Sequence, residues 1–215
     1  MGDNMESLEG GCVIVANGRF PSAELPLRLL KEAKSDGAVK TLYEKGIHPD
    51  AIVGDLDSIP AGLRERYADR IHHVEDQEIN DLTKSVRFAH TQGYREVLIL
   101  GATGLREDHT LGNISLLMDY AHLFKRVEML SDYGLFTPIL ETTTFASYPG
   151  QQISIFILYP EGEISTEGLR WPIRRRKLTS WWQGTLNEAL GDQFTVTLSP
   201  DCRVIIYREA SHTKE

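Results

Sequence analysis

The sequence predicts an α/β protein with two domains: a mostly parallel, Rossmann-like α/β domain and, after it, a small all-β sandwich. The first domain is indicated by short apolar runs that alternate with segments of helical periodicity over residues 1–139. The second domain is indicated by a change in sequence pattern, because residues 140–215 contain short β-rich runs separated by Gly, Pro and Asp turns. A third observation concerns function, since several of the apolar runs end in acidic or glycine-rich loops.

Each element follows from a local pattern. Apolar runs predict strands at Cys12–Ala16, Ala51–Gly54, Ile71–Val74, Val97–Leu100, Gln152–Leu158, Phe194–Leu198 and Arg203–Tyr207. Helical spacing of apolar residues predicts helices at Glu24–Lys34, Ala38–Lys45, Leu82–His90 and Asp108–His122. Asn80 is placed to cap the third helix, and Gly46 and Gly93 are typical of helix ends. Because the first helix is expected to run to Lys34, no strand is expected before Asp36.

The composition is that of an ordinary globular protein of 215 residues, 41% hydrophobic and 25% charged. No apolar run approaches the roughly 20 residues of a membrane span, and the N-terminus lacks a signal-peptide pattern, so we expect a cytoplasmic protein. The formal net charge of −8 argues against nonspecific nucleic-acid binding. The basic run Arg174–Lys177 is therefore predicted to be a solvated loop.

Polar loops follow three of the predicted strands. Asp55 and Asp57 follow the central strand, Asp76–Asp81 follows the next one, and Gly101–His109 follows the third. Open α/β sheets bind their ligands at the carboxyl ends of the strands. We therefore expect the three loops to converge on one site at one edge of a parallel sheet. The third loop is not a P-loop, because no Gly-Lys-Ser/Thr sequence follows it.

Five segments, in this order, carry a resemblance to a known family: Gly54–Ser58, Asp76–Asp81, Gly104–His109 with Asn113, Gly168–Pro172 and Asn187–Glu188. Together they resemble the thiamine pyrophosphokinases. The resemblance implies an α/β domain over residues 1–139 that binds ATP and Mg²⁺, and a β-sandwich over residues 140–215 that binds thiamine and forms a homodimer with active sites between subunits. It also implies transfer of a pyrophosphoryl group from ATP to the hydroxyethyl group of thiamine, which gives thiamine diphosphate and AMP.

The chemistry of the first loop fits that reaction. Phosphoryl transfer needs a hard cation on the phosphate oxygens, and Mg²⁺ takes oxygen ligands of which few come from protein. Asp55 and Asp57 are the natural ligands, because side chains at i and i+2 of an extended chain point to the same side, and Asp108 is a third candidate. In isolation, an Asp-x-Asp-Ser segment is more often a capped turn. Its place among three such loops favours the metal site here.

The second loop offers a base and nucleotide contacts. Asp81 is a candidate general base or a further metal ligand, and Asp76, Gln77 and Asn80 are predicted to line the nucleotide site. Alternatively, Asn80 and Asp81 only cap the following helix and complement its dipole, a contribution of about 1 kcal/mol. Lys84, one helical turn further on, would reach a phosphate, but a single lysine on an amphipathic helix is usually solvated surface.

In the third loop, Arg106 is the predicted phosphate ligand, because its guanidinium fork matches two phosphate oxygens and the helix behind it adds backbone donors. Asp108 follows it as a metal or substrate carboxylate. His109 and Asn113 lie on one predicted helix face, where they would contact the nucleotide. A surface pair at helical spacing is equally consistent with these two positions.

The resemblance assigns further site residues outside these loops. Trp171 is the predicted wall of the thiamine pocket, although a large aromatic in a small β domain is more often core. Asn187 belongs to the segment that helps to hold thiamine, and Asp36 is carried over as a site residue. Leu186 stands where the family has serine. Two alternatives therefore stay open: a pyrophosphokinase for another hydroxyalkyl heterocycle such as a pterin, and a non-catalytic thiamine- or nucleotide-binding regulator.

Overall fold

The computed structural model describes residues 11–21, 33–34, 38–57, 59–159, 161–200 and 202–210. These residues form two compact units, one of residues 11–114 and 122–132 and the other of residues 115–121 and 133–210. Asp36, predicted as a site residue, lies outside the described residues. No helix in the described ranges has both the length and the apolarity to cross a bilayer.

The first unit is built on parallel strands. They are β1 (Gly11–Val15), β2 (Ala33–Lys34), β3 (Ile52–Gly54), β4 (Ile71–His73), β5 (Glu96–Leu100) and β6 (Arg126–Leu130). One parallel sheet has the order β6-β5-β1-β2, whereas β3 and β4 pair with each other in a second sheet. All of β1 and all but the first residue of β5 are buried. Burial on both faces explains why these two strands have unbroken apolar sequences.

The α-helices of the described residues are α1 (Val39–Glu44), α2 (Ala61–Arg66), α3 (Asp81–Thr91) and α4 (Glu107–Tyr120). The predicted helices that correspond to α1, α3 and α4 are confirmed to within two residues at each end. Asn80 caps α3 as predicted, because its side-chain oxygen accepts a hydrogen bond of 2.8 Å from the Thr83 N–H. Gly46 and Gly93, the second residues beyond the ends of α1 and α3, have φ angles of 71° and 82°, and a left-handed residue at this position ends a helix. The sequence did not predict α2, since none of its residues is buried.

Two expectations about the strands are wrong. The segment Ala33–Lys34 is a strand, although a helix was predicted there, and it places a strand directly before the Ser35–Asp36 segment. Parallel pairing with the buried β1 sets Ala33 opposite Val13 and overrides the helical propensity of these residues. The remainder of that predicted helix lies outside the described residues. Further, the three polar loops do not follow one sheet, because β3 and β4 belong to a different sheet from β5.

The second unit contains two antiparallel sheets. Its strands are β7 (Gly134–Ile139), β8 (Thr143–Ala146), β9 (Gln152–Tyr159), β10 (Ile164–Glu167), β11 (Asn187–Glu188), β12 (Gln193–Leu198) and β13 (Arg203–Glu209). One sheet has the order β11-β9-β13-β7 and the other the order β10-β12-β8. Both sheets contribute to one buried cluster, which includes Ile155, Phe194 and Val204. The strands predicted at 152, 194 and 203 are confirmed, whereas β8, β10 and β11 are too short to show a period of two.

Candidate active site

The first unit contains a cavity of about 660 Å³. Loops that follow β1, β3, β4 and β5 line it, so all four lie at the carboxyl ends of parallel strands. Polar side chains at its wall belong to Asn17, Asp55, Asp57, Gln77, Asn80, Asp81, Lys84, Ser85, Thr103, Arg106, His109, Thr110 and Asn113. The structure thus brings the three predicted loops together, although they come from two sheets. It adds a fourth loop, after β1, which the sequence analysis did not assign to the site.

This fourth loop runs directly beside the third one. The Gly18 N–H donates to the Gly101 carbonyl at 2.6 Å, and the Arg19 N–H donates to the Thr103 carbonyl at 2.8 Å. A Cβ atom on Gly18 would lie 2.3 Å from the Gly101 oxygen, so only glycine allows this approach. The Asn17-Gly18 pair at the end of a buried strand was the sequence signal for a loop that comes close to another backbone.

Asp55 and Asp57 both line the cavity. The residue between them, Leu56, is buried with a φ of 68° and packs in a core cluster with Ile52 and Tyr67. The Asp57 N–H also donates to the Asp55 carboxylate at 3.2 Å, so the segment is a tight turn as well as part of the cavity wall. Within the described residues, no three His, Cys, Asp or Glu side chains group closely enough to hold a metal ion by themselves.

Lys84 lines the cavity, although the sequence favoured a solvated position for it over contact with a phosphate. The solvated position is wrong, because Lys84 is only 4% exposed. Its ammonium group lies 3.1 Å from a carboxylate oxygen of Asp81, whose side chain is 53% exposed. A buried lysine needs such a partner, since an unpaired buried charge is very costly. The Asp-x-x-Lys spacing at the start of α3 was the available signal.

The remaining residues of the second loop separate into two groups. Gln77 and Asn80 line the cavity. Asp76 is not among the lining residues, and its carboxylate accepts a hydrogen bond of 2.9 Å from the Glu78 N–H. The structure therefore gives Asp76 a part in the shape of the loop.

In the third loop, Arg106 lines the cavity but Asp108 does not. The two side chains form a bidentate ion pair, with Nε to Oδ1 at 3.1 Å and Nη2 to Oδ2 at 2.5 Å. The bonds from the Arg106 guanidinium, and a further bond from the His109 N–H, lower the pKa of Asp108 to about 2. The same pair raises the pKa of Arg106. Asp108 therefore orients Arg106 at the start of α4, and His109 and Asn113 follow at the cavity wall.

We expect the Asp108 carboxyl group to titrate near pH 2 in the folded protein. A carboxyl group with a lowered pKa in the folded state stabilises the fold above its unfolded pKa of about 3.9, and this contribution is lost as the pH falls towards 2. In Arg106→Gln the pKa should rise towards the ordinary value, because the largest cause of the shift is removed. Carbon-detected NMR titration measures both values. Arg174→Gln, a change on an exposed loop, is the control, and an unaltered Asp108 titration in Arg106→Gln would contradict the assignment.

In the second unit, Asn187 fixes the backbone of Trp171. The Asn187 side chain is buried, accepts a hydrogen bond of 3.1 Å from the Trp171 N–H and donates one of 2.8 Å to the Trp171 carbonyl. The indole of Trp171 is exposed, at 57%, so Trp171 is not a core residue. The residues of the basic run Arg174–Lys177 are also exposed, which confirms the predicted solvated loop.

Replacing Asn187 with alanine should lower the free energy of unfolding by about 2 kcal/mol, because backbone groups of Trp171 lose their buried partners. Urea unfolding followed by circular dichroism measures this value. The exposed Gln193 on β12 provides the matched control, since Gln193→Ala should change it by less than about 0.5 kcal/mol. If both variants lost the same free energy of unfolding, the Asn187 amide would not stabilise the backbone of Trp171.

These features define the class of the protein: an α/β protein with a cavity that carries charged side chains at the carboxyl ends of parallel strands, and with a second, antiparallel β unit. The chain belongs to the thiamin pyrophosphokinase family. The family model described as "Thiamin pyrophosphokinase, catalytic domain" matches residues 31–129, and the one described as "Thiamin pyrophosphokinase, substrate-binding domain" matches residues 134–207. The resemblance seen in the sequence is thereby confirmed.

Relatives and solved structures agree with this assignment. Thiamine pyrophosphokinase 1 of Oryza sativa subsp. japonica is 30% identical over 174 residues, which are 73% of this chain and 64% of that relative. The match therefore spans less than two thirds of the rice protein. The crystal structure of thiamin pyrophosphokinase from Geobacillus thermodenitrificans has a TM-score of 0.76 at 23% identity and covers 94% of this chain and 99% of its own. The Candida albicans thiamin pyrophosphokinase has a TM-score of 0.79 at 17% identity, with 94% and 90% covered. At these identities the structures establish the shared fold.

Proposed function

We propose that this chain transfers a pyrophosphoryl group from ATP to the hydroxyethyl oxygen of thiamine, giving thiamine diphosphate and AMP. The observation that carries the proposal is the cavity of the first unit, which groups Asp55 and Asp57 with the Asp81–Lys84 pair and Arg106. Carboxylates for a hard cation and cations for phosphate oxygens are the parts that phosphoryl transfer needs. Membership of the family supplies the identity of the two substrates.

The proposed step balances as a displacement at phosphorus. The alcohol oxygen of thiamine forms a bond to the β-phosphorus of ATP, and the bond from that phosphorus to the oxygen bridging it to the α-phosphorus breaks. AMP leaves with the electron pair of that bond. Asp81 is the proposed acceptor of the alcohol proton, because its carboxylate lines the cavity and its side chain is half exposed. Lys84 holds this carboxylate in position from the buried side.

The donor set at the cavity fits Mg²⁺. Asp55 and Asp57 offer hard oxygen ligands, and Mg²⁺ usually takes one or two protein carboxylates together with substrate phosphates and water. A bound Mg²⁺ supplies charge neutralisation on the phosphate oxygens. Asp108, paired with Arg106, stays a predicted third ligand.

Phosphate and nucleotide contacts are proposed for the rest of the wall. Lys84 and Arg106 are the proposed phosphate cations, one buried and one exposed. The proposed nucleotide contacts are Asp76, Gln77, Asn80, His109 and Asn113, of which all but Asp76 line the cavity. Asp36 keeps the role that the family resemblance implies.

The second unit is proposed to bind thiamine and to form a homodimer whose active sites lie between subunits. Support comes from the substrate-binding family model over residues 134–207 and from the exposed indole of Trp171, which Asn187 holds in place. We propose a β-sandwich for this unit, because its two antiparallel sheets share one buried cluster, and a Rossmann-like arrangement for the first unit. The proposed division stays at residues 1–139 and 140–215, with a cytoplasmic location expected from the sequence.

The test is a reaction of the purified chain with ATP, Mg²⁺ and thiamine, followed by chromatography of nucleotides and thiamine esters together. One AMP for each thiamine diphosphate is the expected result. ADP with thiamine monophosphate would replace the proposal with an ordinary kinase. Turnover of a hydroxymethyl pterin alone would favour the other pyrophosphokinase, and tight thiamine binding in calorimetry without any product would favour a regulator.

A further inference from the structure

Side-chain hydrogen bonds connect the second loop of the cavity to the third. Asn80, at the start of α3, donates from Nδ2 to the Asn113 Oδ1 at 3.4 Å. Asn113, in the second turn of α4, donates from its own Nδ2 to the Ala102 carbonyl at 2.9 Å. Ala102 belongs to the loop that leads from β5 to Arg106. A relay of two amides therefore links the element that carries Asp81 to the loop that carries Arg106.

The atoms of both amides are used inside the protein. The Asn80 Oδ1 accepts the capping bond from the Thr83 N–H, while its Nδ2 donates to Asn113. Ala102 is buried, so its carbonyl oxygen requires a partner, and the Asn113 amide supplies one. On its other side the third loop is held by the backbone bonds from Gly18 and Arg19.

We infer that Asn80 and Asn113 form an amide clamp that fixes the spacing between the Asp81–Lys84 pair and Arg106 across the cavity. They are positioning residues, since they act through the two loops. The clamp differs from the nucleotide contacts proposed for the same side chains, because it requires the two residues to act as one unit. Its effect on turnover rests on the proposed function, whereas its effect on the third loop does not.

A choice of substitutions at Asn80 separates the clamp from the helix cap. Asn80→Ser keeps a capping oxygen for the Thr83 N–H but is too short to reach Asn113. Asn80→Asp also keeps the cap but replaces the donating amide by a carboxylate oxygen that cannot donate to Asn113 Oδ1. Asn80→Ala removes cap and clamp together. In the free protein, an effect shared by Asn80→Ser and Asn80→Asp therefore belongs to the clamp.

The first measurement is hydrogen–deuterium exchange of the free protein. In Asn80→Ser and Asn80→Asp, amides of residues 101–106 should exchange about tenfold faster than in the parent, while those of α3 stay unchanged because its cap is kept. Asn113→Ala should give the same increase, and the double variant Asn80→Ser with Asn113→Ala should add nothing. Unchanged exchange over residues 101–106 in Asn80→Ser would overturn the clamp.

The second measurement is the steady-state rate of AMP formation from ATP, Mg²⁺ and thiamine. Each single variant should lower kcat about tenfold, and the double variant should match the singles. A double loss equal to the product of the two single losses would show independent ligands and overturn the clamp. Absence of pyrophosphoryl transfer in the parent would reject the proposed function alone, because the exchange result decides the clamp by itself.

Discussion

Asp57→Asn is expected to lower kcat for thiamine diphosphate formation roughly 1,000-fold while changing the free energy of unfolding by less than about 0.5 kcal/mol. The carboxylate is exposed at the cavity wall, so its loss does not disturb a packed core. Asparagine keeps the shape of the side chain but removes the charge that makes it a ligand for a hard cation. The substitution should therefore abolish most of the activity and leave the stability nearly unchanged.

The matched control for this prediction is Asp69→Asn. Asp69 is an exposed carboxylate outside the cavity and lies 3.9 Å from Arg70 in a surface pair of little energetic value. This variant should keep parental activity. A second measurement is the Mg²⁺ dependence of the residual activity. Asp57→Asn should need a higher Mg²⁺ concentration than the parent for its half-maximal rate. Parental kcat in Asp57→Asn at limiting Mg²⁺ would remove Asp57 from the proposed metal site.

The parts of the site that could be predicted from sequence are those set by neighbours along the chain. Asp55 and Asp57 lie within three residues of the end of an apolar run, and Arg106 lies in the loop after another, so their place beyond strand ends depended only on recognising buried strands. The cap at Asn80 is also local, since its partner is three residues away. The assumption of one sheet was wrong, but the three loops still converge, because strands of both sheets end at the same cavity.

Tertiary contacts decide what the sequence analysis missed. The strand Ala33–Lys34 exists only through its pairing with β1, and two residues carry no pattern of their own. The role of Asp108 depends on which group meets its carboxylate, and the structure sets Arg106 there. The hydrogen bonds between the Asn187 side chain and the backbone of Trp171, sixteen positions away, have no signal in the sequence. The amphipathic pattern of α3 did not indicate that Lys84 is buried, because such a pattern also accommodates a charged residue on the solvated face of the helix.

Lys84→Met is the second change with a large expected effect. We expect kcat/KM for ATP to fall by between about 100-fold and 1,000-fold, as for the loss of one preorganised donor to a developing negative charge. The free energy of unfolding should stay equal or rise, because methionine fills the buried volume of the lysine stem without burying a charge. Asp81 remains half exposed in the variant, so water can solvate the carboxylate that loses its partner.

Lys84→Met should lower the activity without lowering the free energy of unfolding, and this combination separates a role in phosphate binding from a role in the fold. A lysine that only supported the fold would lose stability and activity together when replaced, whereas a lysine retained for phosphate binding imposes a burial cost that the fold alone would not require. Lys40→Met, on the exposed face of α1 beside Glu44, is the control and should leave both quantities unchanged. Differential scanning calorimetry and ATP kinetics on the same preparations measure the pair of effects. A Lys84→Met variant that is unstable yet fully active per folded molecule would assign Lys84 to the fold and leave Arg106 as the proposed phosphate cation.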